Sequence, residues 1–183
     1  MVRIDRVVTK GGDSGETSLG DGSRVSKADR LIEALGAVDE ANASLGLLRL
    51  HTRDHATEDA MLARIQNDLF DIGADLAVPG MDAGRLRLTD PAVQRLQAEV
   101  EQMNAVLPPL KSFILPGGTS GAAHAHMARA LVRRAERSVV RLDAINPVIL
   151  RYLNRLSDHL FVLARVLNRN AAADVPWVPG ANR

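Results

Sequence analysis

Cysteine is absent from the 183 residues of this chain. Its absence excludes a disulfide-stapled scaffold, a thiolate nucleophile, and zinc or iron–sulfur sites built on cysteine. Aromatic residues make up only 3% of the sequence, which disfavours a β-sandwich or barrel because strands favour aromatic and β-branched side chains. The chain instead holds 26 alanines and 24 leucines. Because both residues rank high in helix propensity, the composition favours a helical protein.

Strong net charge and long apolar runs are also missing. The net charge is +1 at pH 7, so no overall field attracts nucleic acid or an anionic membrane, and any anion site must be local. The first residues carry charges where a signal peptide has an apolar core, and no run approaches 18 apolar residues. We therefore expect a cytoplasmic protein that neither binds nucleic acid nor spans a membrane. The length predicts a single domain over residues 1–183.

Glycine is concentrated near the N-terminus, in a polar loop that we treat as an arm over residues 1–27. Five glycines fall within twelve residues, namely Gly11, Gly12, Gly15, Gly20 and Gly22. Two of the three lysines, Lys10 and Lys27, lie in the same arm. The GxxxxGK[ST] pattern of a P-loop is absent. Such an arm is often a flexible terminus, but glycine also lets backbone N–H groups approach an anion closely, so phosphate binding is the alternative.

Residues 28–173 carry a helical pattern, and residues 174–183 form a short tail. Ser26 or Asp29 is expected to cap the first helix, and helix starts follow Thr89 and Asn146. A fourth helix opens after the loop 116–121 and ends near Leu142. Residues of one face recur at alternating steps of three and four in the other segments, and all but Asn42 are apolar: Leu31, Leu35, Val38, Asn42 and Leu45; Leu62, Ile65, Leu69, Ile72 and Leu76; Val93, Leu96, Val100, Met103 and Leu107; Ile149, Leu153, Leu156, Leu160, Leu163 and Leu167. This spacing predicts an all-α five-helix bundle with an N-terminal Gly-rich arm.

Arginines repeat every fourth residue along the fourth helix, at Arg129, Arg133, Arg137 and Arg141. Like charges at this spacing destabilise a helix by about 0.2–0.5 kcal/mol per pair. Two interpretations stay open. The row is either a solvated basic face offset by nearby acids such as Glu136, or an anion site, because the guanidinium group binds phosphate or carboxylate in a bidentate way.

Metal-binding and nucleophilic motifs are scarce. No HExxH or Glu-x-x-His pattern is present, so the signatures of zinc proteases and di-iron bundles are missing. The five histidines are interpreted as surface or packing residues. Asn154 and Asp158 stand four residues apart on the fifth helix near Arg155, and salt bridges are the simplest explanation for that group. Asp39 and Glu40 lie on or beside the buried stripe of the first helix, and a carboxylate there requires a positive partner. The arginine row is the obvious source of that partner, within the chain or across an oligomer interface.

Five segments resemble motifs of the PduO-type ATP:corrinoid adenosyltransferases, in the same order. They extend from residue 9 to residue 158, over nearly the whole chain. The segments are TKGGDSGETSL at 9–19 with RVSK at 24–27, EALGAVDEAN at 33–42, FILPGG at 113–118, RALVRRAER at 129–137 and YLNRLSD at 152–158. Two positions depart from the family pattern, which usually has Thr at position 11 and Lys at position 14. This chain has Gly11 and Ser14, and the missing lysine removes one positive charge near a bound triphosphate.

The resemblance implies a bundle that assembles as a homotrimer with active sites between subunits. One chain would hold ATP through Thr9, Lys10, Gly11, Gly12, Thr17, Ser18 and Lys27. Its neighbour would contribute Arg133, Arg134, Glu136, Arg137 and Asn154. Asp39 and Arg129 would form an intersubunit salt bridge, and Phe113 would lie against the lower face of the corrin ring.

The implied reaction transfers the 5′-deoxyadenosyl group of ATP to the cobalt of reduced cobalamin and releases triphosphate, with Mg²⁺ on the ATP phosphates. Arg133, Phe113 and Asn154 are the implied catalytic residues, Phe113 by excluding an axial ligand from cobalt. A reductase and a cobalamin-dependent acceptor enzyme are the expected partners. Two alternatives remain: a carrier or regulator that binds ATP and adenosylcobalamin without catalysis, and a structural bundle whose arginine row mediates subunit contacts.

Overall fold

A computed structural model describes residue 8, residues 10–78 and residues 84–183. It contains five α-helices: α1 Arg30–Arg49, α2 Ala56–Leu76, α3 Asp90–Asn104, α4 Ser120–Val139 and α5 Pro147–Leu167. These helices confirm the predicted all-α five-helix bundle. Four short strands lie outside it: β1 Glu16–Ser18, β2 Arg24–Ser26, β3 Ile114–Leu115 and β4 Val175–Pro176. β1 pairs with β2 and β3 with β4, both antiparallel.

Polar side chains cap α1 and α5 at the predicted starts, and Thr119 caps α4 by accepting a hydrogen bond from the Ala122 N–H at 3.2 Å. Asp29, rather than Ser26, caps α1, because its Oδ1 accepts a hydrogen bond from the Leu31 backbone N–H at 2.7 Å. Asn146 caps α5 in the same way through the Val148 N–H at 3.0 Å. Such caps satisfy backbone donors that the first helical turn leaves free. Thr89 precedes α3 but makes no side-chain cap bond.

Helix α4 ends at Val139, a turn earlier than predicted. The Arg141 N–H donates to the Ser138 carbonyl and the Leu142 N–H to the Val139 carbonyl. These hydrogen bonds join residues three apart, as in a 3₁₀-helix, and form a tight turn in place of a further α-helical turn.

The core lies where α4 packs between α1 and α5. α2 packs on α1 and α3 packs on α5, so the five helices enclose one apolar interior. The predicted stripes of α2 and α5 are buried there, together with Tyr152. Alanines fill the α1–α4 contact, which allows the two helix backbones to approach closely: Ala34, Ala37 and Ala41 on α1, and Ala122, Ala125, Ala128 and Ala135 on α4. No helix among the described residues is both long and apolar enough to cross a membrane.

Two carboxylates within the bundle are satisfied by neighbouring helices. Glu99 of α3 accepts hydrogen bonds from His159 at 3.0 Å and from Arg64 at 2.8 Å. Burial alone would raise the pKa of Glu99, but these two donors hold it below its usual value. Asp68 of α2 accepts a hydrogen bond from the Tyr152 hydroxyl at 2.6 Å. His126 and His159, at 3% and 0% exposure, confirm that histidines serve as packing residues here.

An ion pair closes the connection between α1 and α2. Arg49 donates two hydrogen bonds to Asp59, from Nε to Oδ1 at 2.9 Å and from Nη2 to Oδ2 at 2.7 Å. The Thr52 hydroxyl adds a third to Oδ1 at 3.0 Å. The Arg49 hydrogen bond is the main cause that lowers the pKa of Asp59 from its ordinary value of 3.8.

We expect Asp59→Asn to lower the free energy of unfolding by about 1 kcal/mol at pH 7, a value discounted because the pair is partly exposed. Since the folded pKa lies below the unfolded one, the pair stabilises fully above the unfolded pKa and loses this contribution as the pH falls through the folded pKa. Urea denaturation at several pH values measures the effect. The gap between wild type and Asp59→Asn is expected to narrow below about pH 4. Asp54→Asn, in the same connection, is the control, and a gap that is constant down to acid pH would contradict the assignment.

Candidate active site

The N-terminal arm folds into a hairpin where the sequence predicted a loop. Thr17 of β1 lies opposite Val25 of β2. The Lys27 backbone N–H donates to the Gly15 carbonyl at 2.8 Å, and Gly15 has a φ of +85° that favours glycine. The Lys27 side chain lies over Gly12 so closely that a Cβ atom at position 12 would come within 2.9 Å of Nζ. The hairpin therefore presents an ammonium group directly against glycine backbone.

A cavity of about 440 Å³ separates this hairpin from α1. Thr17, Ser18 and Lys27 line it from the arm, and Leu35, Gly36 and Asp39 line it from α1. One wall carries hydroxyl groups and a cation, and the other carries small and apolar residues together with the Asp39 carboxylate. The cationic wall suits phosphate, and the apolar residues suit a flat apolar part of the same ligand.

An apolar groove of about 390 Å³ continues from this cavity between α1 and α2. Leu35, Asp39 and Ala77 line both spaces. Phe70 projects at the groove with 72% exposure. The arm cavity therefore opens beside a second surface that suits a large apolar ligand.

The arginine row of α4 forms the second part of the site. Arg133 and Arg137 are exposed, and the Arg137 guanidinium donates to the Arg133 carbonyl at 3.0 Å. Asn154 of α5 donates to Glu136 at 3.1 Å. Arg134 pairs with Glu40 of α1. The acids predicted to offset the row are thus engaged by Asn154 and Arg134.

The remaining guanidinium groups carry uncompensated charge. Arg129, Arg133 and Arg137 form no ion pair with any carboxylate in the described part of the chain. The Nε atom of Arg129 is buried without a hydrogen-bond partner. Burial and, next, the charge of Arg133 lower the pKa of Arg129. Burial and then the charge of Arg129 lower the pKa of His126. The uncompensated charge of the arginine row favours the anion-site interpretation over a basic face that is offset by nearby acids.

The arm and the arginine row do not meet within one chain. Among the described residues, 10–78 and 84–183, no hydrogen bond or ion pair joins the hairpin to Arg133, Arg134 or Arg137. Asp39 and Arg129 are likewise unpaired with each other. Each part therefore forms one cationic half of a candidate anion site.

Phe113 lies in the connection between α3 and α4 and is 78% exposed. Strand β3 follows it directly and pairs with β4. The Trp177 backbone N–H donates to the Phe113 carbonyl at 2.8 Å. Asn168 holds the far end of the loop, accepting from the Thr119 N–H at 2.9 Å and donating to the Gly117 carbonyl at 3.2 Å. The backbone is therefore bonded on both sides while the aromatic ring stays in solvent.

Comparison with known proteins identifies this arrangement. Residues 7–167 match the sequence model of cobalamin adenosyltransferases. The chain belongs to the cobalamin adenosyltransferase family. It is 49% identical to a cobalamin adenosyltransferase of Cupriavidus metallidurans, over 96% of this chain and 95% of the relative. It is 45% identical to the corrinoid adenosyltransferase of Mycobacterium tuberculosis, over 100% of this chain and 97% of the relative.

Solved structures of the family share the fold. A phenylalanine-to-alanine variant of a PduO-type ATP:corrinoid adenosyltransferase from Lactobacillus reuteri, complexed with cobalamin and ATP, superposes with a TM-score of 0.85. It is 36% identical, and the match covers 94% of this chain and 99% of that chain. The predicted resemblance to PduO-type adenosyltransferases is confirmed.

Most residues that the family resemblance assigns to the site fall into the two halves described above. Thr9 lies outside the described residues. Lys10, Gly11, Gly12, Thr17, Ser18 and Lys27 belong to the arm; Arg133, Arg134, Glu136, Arg137 and Asn154 belong to the other half. The pairing of Glu40 with an arginine of the row follows the sequence prediction. Sequence reasoning missed Asn168 and Trp177, and only Trp177 gave a signal, as the single tryptophan of the chain.

The loop that carries Phe113 in this adenosyltransferase requires glycine at position 118. Gly118 has a φ of +99°, and a Cβ there would lie 2.2 Å from the Asn168 Oδ1. We expect Gly118→Ala to destabilise the protein by about 1–3 kcal/mol, because it combines backbone strain with loss of the Asn168 bonds. Thermal denaturation measures the change. Gly117→Ala is the matched control, since a Cβ at that position meets nothing within 4 Å; equal effects of the two variants would refute the argument.

Proposed function

We propose that this chain transfers the 5′-deoxyadenosyl group of ATP to the cobalt of reduced cobalamin, forming adenosylcobalamin and triphosphate. Family membership over residues 7–167 supports this activity. The observation that carries it is the pair of incomplete cationic halves, one with Lys27 at a cavity beside an apolar groove and one with unpaired arginines. Together they offer recognition for a triphosphate and for a large apolar ring system.

The reaction needs no general base. The cobalt(I) electron pair attacks C5′ of ATP and forms the cobalt–carbon bond. The bond between C5′ and the triphosphate oxygen breaks, and the triphosphate leaves with the electron pair of that broken bond. The chain accordingly needs neither thiolate nor activated hydroxyl, and it has no cysteine. Its tasks are to align C5′ with cobalt, where positioning supplies about 7–11 kcal/mol of a barrier, and to stabilise the charge on the leaving group.

The two halves belong together across a subunit interface in our proposal. A homotrimer would place the arm of one subunit against the arginine row of the next. Asp39, which lines the cavity, would then pair with Arg129 of the neighbouring copy, whose Nε is buried without a partner. Lys10, Lys27, Arg133 and Arg137 would surround the triphosphate, with Asn154 and Glu136 orienting the nucleotide. Analytical ultracentrifugation tests the trimer.

Mg²⁺ enters this proposal as an ion carried by ATP. Across the described ranges, no group of three or more His, Asp or Glu side chains is placed to hold a metal ion. The triphosphate would therefore supply most of its ligands, and Mg²⁺ would lower the negative charge of the leaving group. A reductase that supplies reduced cobalt, a cobalamin-dependent acceptor enzyme and a cytoplasmic location complete the proposal.

An anaerobic visible-spectrum assay with chemically reduced cobalamin, Mg²⁺ and ATP tests the activity. We expect adenosylcobalamin to form with an equal amount of triphosphate. ATP binding without either product would establish the carrier or regulator alternative. Absence of ATP binding by calorimetry would leave only the structural bundle.

Phe113→Ala tests the role of the exposed ring. Four-coordinate cobalt(II) is easier to reduce than cobalt with an axial ligand, and in our proposal Phe113 excludes that ligand. We expect turnover from cob(II)alamin to fall about 10- to 100-fold, with ATP affinity unchanged, because the backbone and the ring of Phe113 contact Trp177 and not the arm or the arginine row. Leu110→Ala removes another exposed apolar side chain from the same connection. Equal losses in turnover and ATP affinity would refute the assignment.

Arg133→Ala tests the arginine half. The Arg133 side chain is exposed and forms no ion pair within the described residues, so its loss leaves α4 intact. We expect kcat to fall about 10²- to 10³-fold, the effect of removing one donor to developing charge, while circular dichroism shows unchanged helix content. Arg141→Ala, eight residues further along the chain, beyond the end of α4 and outside the proposed site, is the control. A normal rate would remove Arg133 from the site.

A further inference from the structure

The C-terminal segment is built into the loop that carries Phe113. Val175 lies opposite Leu115 and Pro176 opposite Ile114 in the β3–β4 pair. Beyond this pair, the Ser112 hydroxyl donates to the Trp177 carbonyl at 3.0 Å. The Trp177 N–H in turn donates to the Phe113 carbonyl, so Trp177 is hydrogen-bonded to both Ser112 and Phe113. The tail is therefore a structural partner of this loop.

Buried polar groups at the end of α5 direct the tail toward the loop. Asp174 accepts hydrogen bonds from Arg165 Nε at 2.9 Å and from Asn168 Nδ2 at 3.0 Å. Three consecutive left-handed residues, Arg169, Asn170 and Ala171, reverse the chain between them. Non-glycine residues adopt this conformation rarely, so the surrounding bonds determine the reversal. The course of the tail is thus set by the bundle.

The side chains of Trp177 and Phe113 also meet. Their ring centroids lie 6.2 Å apart at an interplanar angle of 58°, within the range of favourable tilted aromatic pairs. Trp177 keeps 44% exposure and leaves most of the Phe113 ring open. Among the described residues, Trp177 is the aromatic ring that contacts Phe113.

We propose that Trp177 is a positioning residue that holds the Phe113 ring in the orientation in which it meets the corrinoid. This inference rests on the proposed function, because it acts through the role of Phe113. A ring already restrained before the substrate arrives loses less freedom on binding, and catalytic groups need such support from neighbouring side chains. The inference assigns a functional role to a residue beyond residue 167, where the family match ends.

Trp177→Ala, Trp177→Phe and Val178→Ala test the inference in the full-length protein. Val178 is the exposed neighbour and serves as the matched control. We expect Trp177→Ala to slow adenosylation from cob(II)alamin about two- to tenfold, the range that corresponds to one aromatic pair. Electron paramagnetic resonance is expected to show a smaller four-coordinate fraction of bound cob(II)alamin. ATP affinity and melting temperature are expected to match those of Val178→Ala, and Trp177→Phe is expected to restore most of the rate.

A double-mutant cycle separates positioning from general damage. In the Phe113→Ala background, Trp177→Ala is expected to have little further effect, because the ring that it positions is gone. Independent, multiplicative losses would overturn the inference.

Fluorescence provides a test that needs no corrinoid. Trp177 is the only tryptophan, so its emission reports this contact directly, and Phe113→Ala is expected to shift it. An unchanged emission would overturn the contact on which the inference depends. An inactive wild type would overturn the proposed function, whereas an active wild type with Trp177→Ala equal to Val178→Ala in rate and four-coordinate fraction would overturn this inference alone.

Discussion

The close packing of α4 against both α1 and α5 is the constraint on which the rest of the structure depends. Ala125, Ala128 and Ala135 are fully buried on that helix, and Val132 lies among them. A helix buried on this much of its surface can carry charge only on the strip that remains. The arginine row occupies that strip, so its members are half-buried or exposed side chains on a backbone fixed by the core. The site therefore inherits its rigidity from packing, which suits a reaction that depends on alignment.

The same packing explains why part of the arginine row has no carboxylate partner among the described residues. Arg134 reaches Glu40 across the α1–α4 contact, and Asn154 reaches Glu136 from α5. Because these contacts engage Glu40 and Glu136, Arg129 and Arg133 have no carboxylate partner among the described residues. Repulsion between neighbouring guanidinium groups is relieved when an anion or a carboxylate arrives. On the arm side, Asp39 lines the cavity together with Lys27 and forms no ion pair among the described residues. Each half supplies what the other lacks, which is the physical argument for assembly between copies.

The helices were predictable because their signals are local. Steps of three and four, together with caps such as Asp29 and Asn146, act within one or two turns and need no knowledge of the rest of the chain. The arm was only partly predictable: its glycines and lysines indicated an anion-binding loop, but a hairpin with three-residue strands has too short an alternating pattern to detect. The pairing of β3 with β4, and the Asn168 bonds to the Phe113 loop, join residues far apart in sequence. No single-sequence pattern encodes such contacts, so Trp177 stood out only by its rarity.

An exposed aromatic ring is unfavourable in water, and this chain keeps Phe113 and Phe70 largely exposed. The two rings differ in how they are held. Phe70 projects from the regular α2 helix at the apolar groove, and its backbone needs no further support. Phe113 lies in a loop, where backbone freedom would blur its position, and strand pairing, a glycine turn and a second aromatic ring act together on it. A ring whose only role was burial in an interface would not require this much restraint. The restraint is what a group needs when its exact placement affects the chemistry of a bound ligand.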